Sequence, residues 1–308
     1  MNKKEFRTLD EQVDILKGKG LIINDPEKVK DILLRENYFF VNGYRQIFYT
    51  SERKFLKGTT FEELYSTFLF DRNLRNVLFK NMLVVENNIK SIISYQLSKK
   101  YGYKEQDYLN PKNFTRDMKE ARRVDDVLSK MKRQIRINGE KHTATFHYMN
   151  KYKFVPLWIL VKVLSFGLIN ELFGILKEED KQEIADIYGL DRETLKVYIQ
   201  LLSNYRNLCA HEDIVFDHKT QVLIDDTKYH KLLGIKKNGL GEYLQGKNDL
   251  FAVVIIFKQM LQKDRFKEFI KEIDLVFRVF DNNVNTITNE KLYEKMGFPQ
   301  NYMDIIDM

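Results

Sequence analysis

Cysteine, proline and glycine are scarce in this 308-residue sequence, which contains one cysteine (Cys209), 4 prolines and 14 glycines. A single cysteine excludes an internal disulfide and a cysteine-rich zinc module, and it fits a reducing compartment. Sandwiches and barrels need a turn signal roughly every eight to twelve residues, so few prolines and glycines favour long helices. We therefore expect a cytoplasmic protein with an all-α fold.

Long apolar runs are also lacking. The longest runs cover residues 154–161 and 250–257, whereas a helix that crosses a bilayer needs about 20 apolar residues. Residues 1–12 carry charge without an apolar core or a small-residue cleavage site, so we expect no signal peptide. With 44% hydrophobic and 31% charged residues, the composition predicts a folded protein that does not enter a membrane.

The signatures of nucleotide, metal and serine chemistry are absent as well. The sequence has no GxxxxGKS/T loop, no GxGxxG loop and no HExxH motif, which are the usual markers of nucleotide binding and of zinc proteases. Its five histidines form no zinc pattern with Cys209. Ser165-Phe166-Gly167 lacks the preceding glycine of a nucleophile elbow. We expect neither a cofactor nor a metal ion.

The positive charge of the chain is concentrated in one stretch. The sequence has 51 Lys and Arg against 44 Asp and Glu, a net charge of +7, and residues 119–141 hold eight basic and four acidic residues, or +4. A helix predicted at about residues 114–137 would carry this charge. A basic surface either binds a polyanion or is simply solvated. The candidate RNA-binding residues on it are Arg123, Lys130, Arg133 and Arg136.

Apolar spacing predicts the other main helices. Spacings of three, four and seven residues, with no proline or glycine, predict one long amphipathic helix over residues 61–101. Gly167 predicts a helix break, and Asp180 and Asp191 predict two further N-caps, the second for a helix that ends near Ala210.

We expect three segments in one compact unit, since no repeat or long linker separates them. They are an N-terminal helical extension (1–60), a helical core (61–217), and a loop-rich segment with C-terminal helices packed on the core (218–308).

One short string combines an arginine and a histidine at the end of a predicted helix. It is Tyr205-Arg206-Asn207-Leu208-Cys209-Ala210-His211. Arginine suits the binding of a phosphate because its planar fork donates to two oxygens, and histidine suits proton transfer because its ordinary pKa lies near neutrality. A second arginine and histidine at similar spacing, Arg136 and His142, straddle a turn at Asn138-Gly139.

The string resembles the R-x4-6-H motif of HEPN endoribonucleases, in the RNxCAH form of the Abi-like abortive-infection family (AbiD/AbiF). The resemblance extends over roughly residues 8–217 through further segments in the family's order. These are Lys19 to Ile23, Asn37-Tyr38 with Gly43-Tyr44, Phe70 to Arg75, Glu86, and Leu164 to Gly167. Relatives often carry a basic residue shortly after the histidine, where this chain has Asp213-Ile214-Val215-Phe216.

The resemblance implies a HEPN-like helical bundle and a metal-independent endoribonuclease in anti-phage defence. It implies catalytic roles for Arg206 and His211, an orienting role for Asn207, and a contact between Glu86 and Arg206. It also implies a homodimer and, as a further partner, a small structured regulatory RNA.

The residues themselves allow a mechanism and two alternatives. RNA supplies its own nucleophile, the 2′-OH, so cleavage needs proton transfer and phosphate stabilisation. Five residues apart on a regular helix, Arg206 and His211 point in directions that differ by about 140° around the helix axis. Their side chains would therefore meet only if the helix end unwinds, or if one of them comes from the second chain of a dimer. Alternatively, both side chains only complement the helix dipole, or the chain is a non-catalytic structured-RNA-binding protein. Cys209 is expected to be a packing residue.

Overall fold

The computed structural model describes residues 5–308, and this range is built from helices. Within it, β pairing is limited to isolated bridges, so the predicted all-α fold is confirmed. Fifteen α-helices follow one another. They are α1 (Leu9–Gly18), α2 (Pro26–Glu36), α3 (Tyr38–Gly43), α4 (Phe61–Tyr101), α5 (Glu105–Tyr108), α6 (Ala121–Asn138), α7 (Thr143–Tyr152), α8 (Leu157–Val163), α9 (Phe166–Ile175), α10 (Glu178–Ala185), α11 (Arg192–Ala210), α12 (Lys228–Leu232), α13 (Leu250–Met260), α14 (Lys263–Asn283) and α15 (Asn289–Met296).

Helix α4 is the long central helix, and its predicted bounds are confirmed. It begins with a capping box in which Thr60 and Glu63 each accept a backbone N–H from the other residue. It ends at Tyr101 and is followed by the C-cap Gly102, whose φ of +97° favours glycine. Helices α8, α10, α11 and α14 all pack along α4, so side chains from distant parts of the sequence meet on its surface.

The basic helix begins later than predicted, at Ala121 instead of residue 114. Phe114 is buried and forms an isolated bridge with Leu176, and the N–H of Thr115 donates to the carbonyl of Ile175 at 2.9 Å. This pairing with the end of α9 holds residues 114–115 out of a helix.

Two of the other predicted helix boundaries are wrong. The break between α8 and α9 is at Leu164, and Ser165, not Gly167, caps α9 by accepting the N–H of Leu168. Asp180 is not an N-cap: it lies in the first turn of α10, where it is buried and pairs with Lys100. The N-cap at Asp191 and the end of α11 at Ala210 are confirmed.

The C-terminal residues form helical structure that the sequence pattern does not predict. Beyond α14 the chain forms α15 and a 3₁₀ turn at Tyr302–Ile306. Glu63 at the start of α4 accepts the N–H groups of Asn285 and Thr286 at 2.7 and 2.9 Å. Buried apolar side chains from residues 5–60, 61–217 and 218–308 belong to one core cluster. In the described range no helix is long and apolar enough to cross a membrane. The division into three segments remains a prediction.

Candidate active site

The arginine–histidine string lies at the C-terminal end of helix α11. Asp191 caps the helix by accepting the N–H of Thr194 at 2.9 Å, and apolar side chains such as Leu195 and Leu202 bury its inner face. At the other end, the N–H of Asp213 donates back to the carbonyl of Leu208 at 3.0 Å. Such a bond belongs to a Schellman-type C-cap, which turns the chain away immediately after the helix.

His211 is the first residue beyond α11, and its side chain is exposed. The next residue, Glu212, has a φ of +58°, a left-handed conformation that is unusual for a residue with a side chain. On α11 itself, Asn204 and Asn207 are exposed on the same face as His211, at helical spacing. His211 and Asn207 can therefore be reached by a ligand or by a partner molecule.

Arg206 lies against α4 in a group of three charged side chains. Its Nε donates to Oε2 of Glu86 at 3.1 Å, and Oε1 of the same carboxylate accepts from Nζ of Lys90 at 2.6 Å. The guanidinium also lies over the ring of Phe79, 5.7 Å from its centre. The side chain of Glu86 is 4% exposed and that of Arg206 is 25% exposed. Two cations share one buried carboxylate, so this group has a net charge of +1 and an accessible guanidinium.

Within the described chain, Arg206 and His211 do not contact each other through a hydrogen bond. Arg206 is held on the side of α11 that faces α4, while His211 is exposed at the helix end. The structure thus supports the expected contact between Glu86 and Arg206 but does not bring the two motif residues together in one chain.

A second buried group fixes the segment that follows His211. The carboxylate of Asp71 on α4 accepts the N–H of Phe216 at 2.9 Å and that of Val215 at 3.3 Å. The hydroxyl of Tyr44 donates to the same carboxylate at 2.7 Å, and Arg75 forms an ion pair with it. Burial raises the pKa of Asp71 to about 6, against the opposing effect of Arg75. We call Tyr44, Asp71 and Arg75 the anchor.

Two further contacts extend the anchor along the segment. An Nη atom of Arg75 donates to the carbonyl of Asp213 at 3.2 Å. Gly43 lies so close to Ile214 that an added Cβ would be 3.0 Å from its Cδ1. Residues 213–216 are thus held from both sides, which fixes the backbone two residues after His211.

Gly43, Tyr44, Asp71 and Arg75 belong to the segments that carry the resemblance, but the sequence alone assigns them no role. The structure shows that they meet around residues 213–216. A sequence signal was present: an acid and a base four residues apart lie on the apolar face of a predicted helix, where unpaired charges are costly.

Cys209 is a packing residue, as expected. It is buried on α11, and burial raises the pKa of its thiol to about 12. A thiol with so high a pKa is a poor nucleophile at neutral pH.

The candidate RNA-binding residues have different environments on α6. Lys130 pairs with Asp126 and Glu171, and Arg123 pairs with Glu120. Arg133 and Arg136 are exposed and have no ion-pair partner among residues 5–308. Lys130 and Arg133 also line a groove of about 280 Å³ between α6 and α9. The positive charge of this face is therefore partly neutralised by neighbouring acids.

The histidine of the second arginine–histidine pair has a structural role. His142 is the N-cap of α7, where its Nδ1 accepts the N–H of Thr145 at 3.3 Å. In the described residues, no group of three or more His, Cys, Asp or Glu side chains is placed to hold a metal ion.

Comparison with known proteins gives one match. The family model described as "Abi-like protein" matches residues 31–217. This range includes the motif, Glu86 and the whole anchor, and it ends just after the anchored segment. Neither the search of curated proteins nor the search of solved structures found a match.

Proposed function

The chain belongs to the Abi-like protein family, and from this premise we propose that it is a metal-independent endoribonuclease of the HEPN type that acts in abortive infection. Family membership suggests the defence role. One observation supports the chemistry: the group of Glu86, Lys90 and Arg206 presents an accessible guanidinium, five residues before an exposed histidine.

Each proposed step uses a side chain of the described site. A neutral His211 imidazole removes the proton of the 2′-OH, and O2′ then forms a bond to the adjacent phosphorus. The bond from phosphorus to O5′ breaks, and O5′ takes a proton from an imidazolium. Arg206 donates to the non-bridging oxygens, on which negative charge increases in the transition state. The products are a 2′,3′-cyclic phosphate and a 5′-hydroxyl. Asn207 orients the phosphate or the imidazole.

We propose that the working site is composite and lies at a homodimer interface. In-line cleavage needs a base and an acid on opposite sides of the phosphorus, and each chain has one histidine in the motif. A two-fold dimer would oppose two copies of His211 and Arg206. The exposure of His211, Asn207 and Asn204 on one face, and the separation of Arg206 from His211 within a chain, support this arrangement.

The experiment is RNA cleavage in EDTA by the wild-type protein and by Arg206→Ala and His211→Ala. The matched control is Arg278→Ala, an exposed arginine on α14. We expect cleavage that resists EDTA, persists in the control and is lost in both motif variants. Cleavage that persists in both motif variants would contradict the assignment.

A second candidate function is favoured by Arg133 and Arg136, which are exposed without ion-pair partners among residues 5–308. In it the chain binds a small structured RNA on α6 and does not cleave. Binding that weakens steeply with salt and is reduced by Arg133→Ala, without cleavage and without an effect of the motif variants, would favour this candidate.

A further inference from the structure

A group of aromatic rings lies on the surface near the C-terminal end of α4. Tyr152 contacts Phe154, Phe154 contacts Tyr103, and Tyr103 contacts Trp158, with ring centres 6.4, 5.6 and 5.6 Å apart. Tyr103, Tyr152 and Trp158 are 43%, 46% and 43% exposed. We call these four residues the aromatic surface. Large rings left half-exposed in a contiguous patch mark an interaction site more often than a monomer surface.

Lysines surround the aromatic surface. The ammonium of Lys104 lies 5.4 Å from the ring centre of Phe154, and that of Lys151 lies 5.3 Å from the ring centre of Tyr152. Residues 141–170 contain four lysines and no acidic residue. The nearby Glu105 is engaged with the backbone, because it accepts the N–H of Val155 at 2.6 Å. Neither Lys104 nor Lys151 forms an ion pair among residues 5–308, so the patch combines aromatic faces with two available ammonium groups.

The local backbone fixes the rings in place. Helix α7 ends at Tyr152, and its C-cap, Lys153, has a left-handed φ of +64°. Two residues later, Val155 and Pro156 are buried before α8 begins. This sharp connection brings Tyr152 of α7 and Trp158 of α8 onto one surface.

We propose that the aromatic surface binds a single-stranded nucleic acid. Bases stack on exposed rings whatever their identity, and lysines beside the rings pair with the phosphates between them. A duplex has phosphates but no unstacked bases, so it could contact the lysines but could not stack on the rings. The site is distinct from the motif: Glu86 lies about 20–25 Å away along the axis of α4, and binding here does not require cleavage.

The sole tryptophan of the chain, Trp158, reports directly on this surface. The experiment titrates oligo(A) RNA and oligo(dA) DNA of about 12 nucleotides into the His211→Ala protein. This substitution prevents loss of the probe by cleavage. We expect quenching of Trp158 fluorescence by either single strand, and no quenching by a duplex of equal length. The two single strands together show whether the surface distinguishes RNA from DNA.

Variants then test stacking through the anisotropy of a labelled oligonucleotide. Tyr152→Leu and Trp158→Leu should each weaken binding about tenfold, and Lys151→Gln should lower the slope of log K against log salt by about one. Tyr95→Leu, an exposed tyrosine on α4, is the matched control and should bind like the parent. Circular dichroism shows whether each variant is folded. If Trp158→Leu does not fold, the result for Tyr152→Leu decides the test.

Three outcomes would overturn the proposal. The first is equal affinity for the duplex and the single strands. The second is unchanged affinity in a folded Tyr152→Leu protein. The third is a change of oligomeric state in the aromatic variants without a change in oligonucleotide binding, which would assign the surface to a protein contact.

Discussion

Nε of Arg206 on α11 donates to Oε2 of Glu86 on α4 at 3.1 Å, across two helices that are far apart in the sequence. Since Oε1 of Glu86 also accepts from Lys90, one buried carboxylate sets the position of the arginine that we assign to phosphate binding.

Replacing this carboxylate tests its positioning role. In Glu86→Gln, Arg206 loses its charged partner and the nearly buried Lys90 is left uncompensated. We expect the free energy of unfolding to fall by about 3 kcal/mol and kcat/KM for RNA cleavage to fall about 10- to 100-fold. Chemical denaturation and cleavage rates measure the two effects. The control is Glu268→Gln, at an exposed acid on α14, which should change neither stability nor cleavage. An unchanged cleavage rate in Glu86→Gln would show that Glu86 does not position Arg206 for the reaction.

Asp71→Asn tests the anchor. In Asp71→Asn an amide nitrogen replaces one of the two carboxylate oxygens, so the side chain can no longer accept both the N–H of Phe216 at one oxygen and that of Val215 at the other. We therefore expect a loss of about 1–3 kcal/mol in the free energy of unfolding at neutral pH. The exposed Asp281→Asn is the control. A variant as stable as the wild type would show that the anchor does not hold residues 213–216.

The anchor also predicts a pH dependence. Burial raises the folded-state pKa of Asp71 from 3.8 to about 6, so the folded protein holds this proton more tightly than the unfolded chain. The extra stabilisation that comes from binding this proton is full below about pH 4 and is lost as the pH rises through 6. The stability difference between wild type and Asp71→Asn should therefore be larger at the lower pH. Asp249 titrates in the same range in both proteins, so the comparison cancels its effect.

The thiol of Cys209 should be unreactive in the folded protein. Burial raises the pKa of this thiol to about 12. A thiol reagent at about pH 8 should therefore label the native chain only as fast as local unfolding exposes Cys209. Since the chain has no other cysteine, the absorbance of the released reagent group measures the labelling of Cys209 alone. The labelling rates with and without denaturant are compared. Cys209→Ala should keep cleavage, and loss of cleavage in a folded Cys209→Ala protein would mean that the thiol contributes to the chemistry.

Mixed dimers test the composite site. If two chains build one site, adding a ninefold excess of His211→Ala should place nearly all wild-type chains in mixed dimers, and cleavage per wild-type chain should fall about tenfold. The same excess of the control Arg278→Ala, itself active, should not reduce it. Cleavage per wild-type chain that is unaffected by His211→Ala, in a sample shown to exchange subunits, would mean that each chain acts alone.

The helical fold was largely predictable, because long unbroken periodicity needs only local information. Helix α4 and the capped start of α11 at Asp191 follow from residues within each helix. The start of α6 was predicted too early because the apolar Phe114 fits a helical spacing yet pairs with Leu176 instead. Helix α15 was missed because it is short, and its buried side chains are recognisable only once α14 and α4 are in place.

The site was predictable only in part, for a similar reason. Arg206 and His211 are close in the sequence, so one short string locates them. The anchor joins Tyr44, Asp71 and residues 213–216, which no local pattern connects. A buried ion pair at Asp71 and Arg75 shows that something must compensate the charges, but not which backbone groups do so.

The end groups of the RNA fragments test the central claim most directly. Mass spectrometry of the fragments made in EDTA should find 2′,3′-cyclic phosphate and 5′-hydroxyl ends, absent from the His211→Ala reaction. An RNA with 2′-deoxyribose at the cleaved position should stay intact, since it lacks the nucleophile. Fragments with 3′-hydroxyl and 5′-phosphate ends, or cleavage at the deoxy position, would contradict the proposed function of Arg206 and His211.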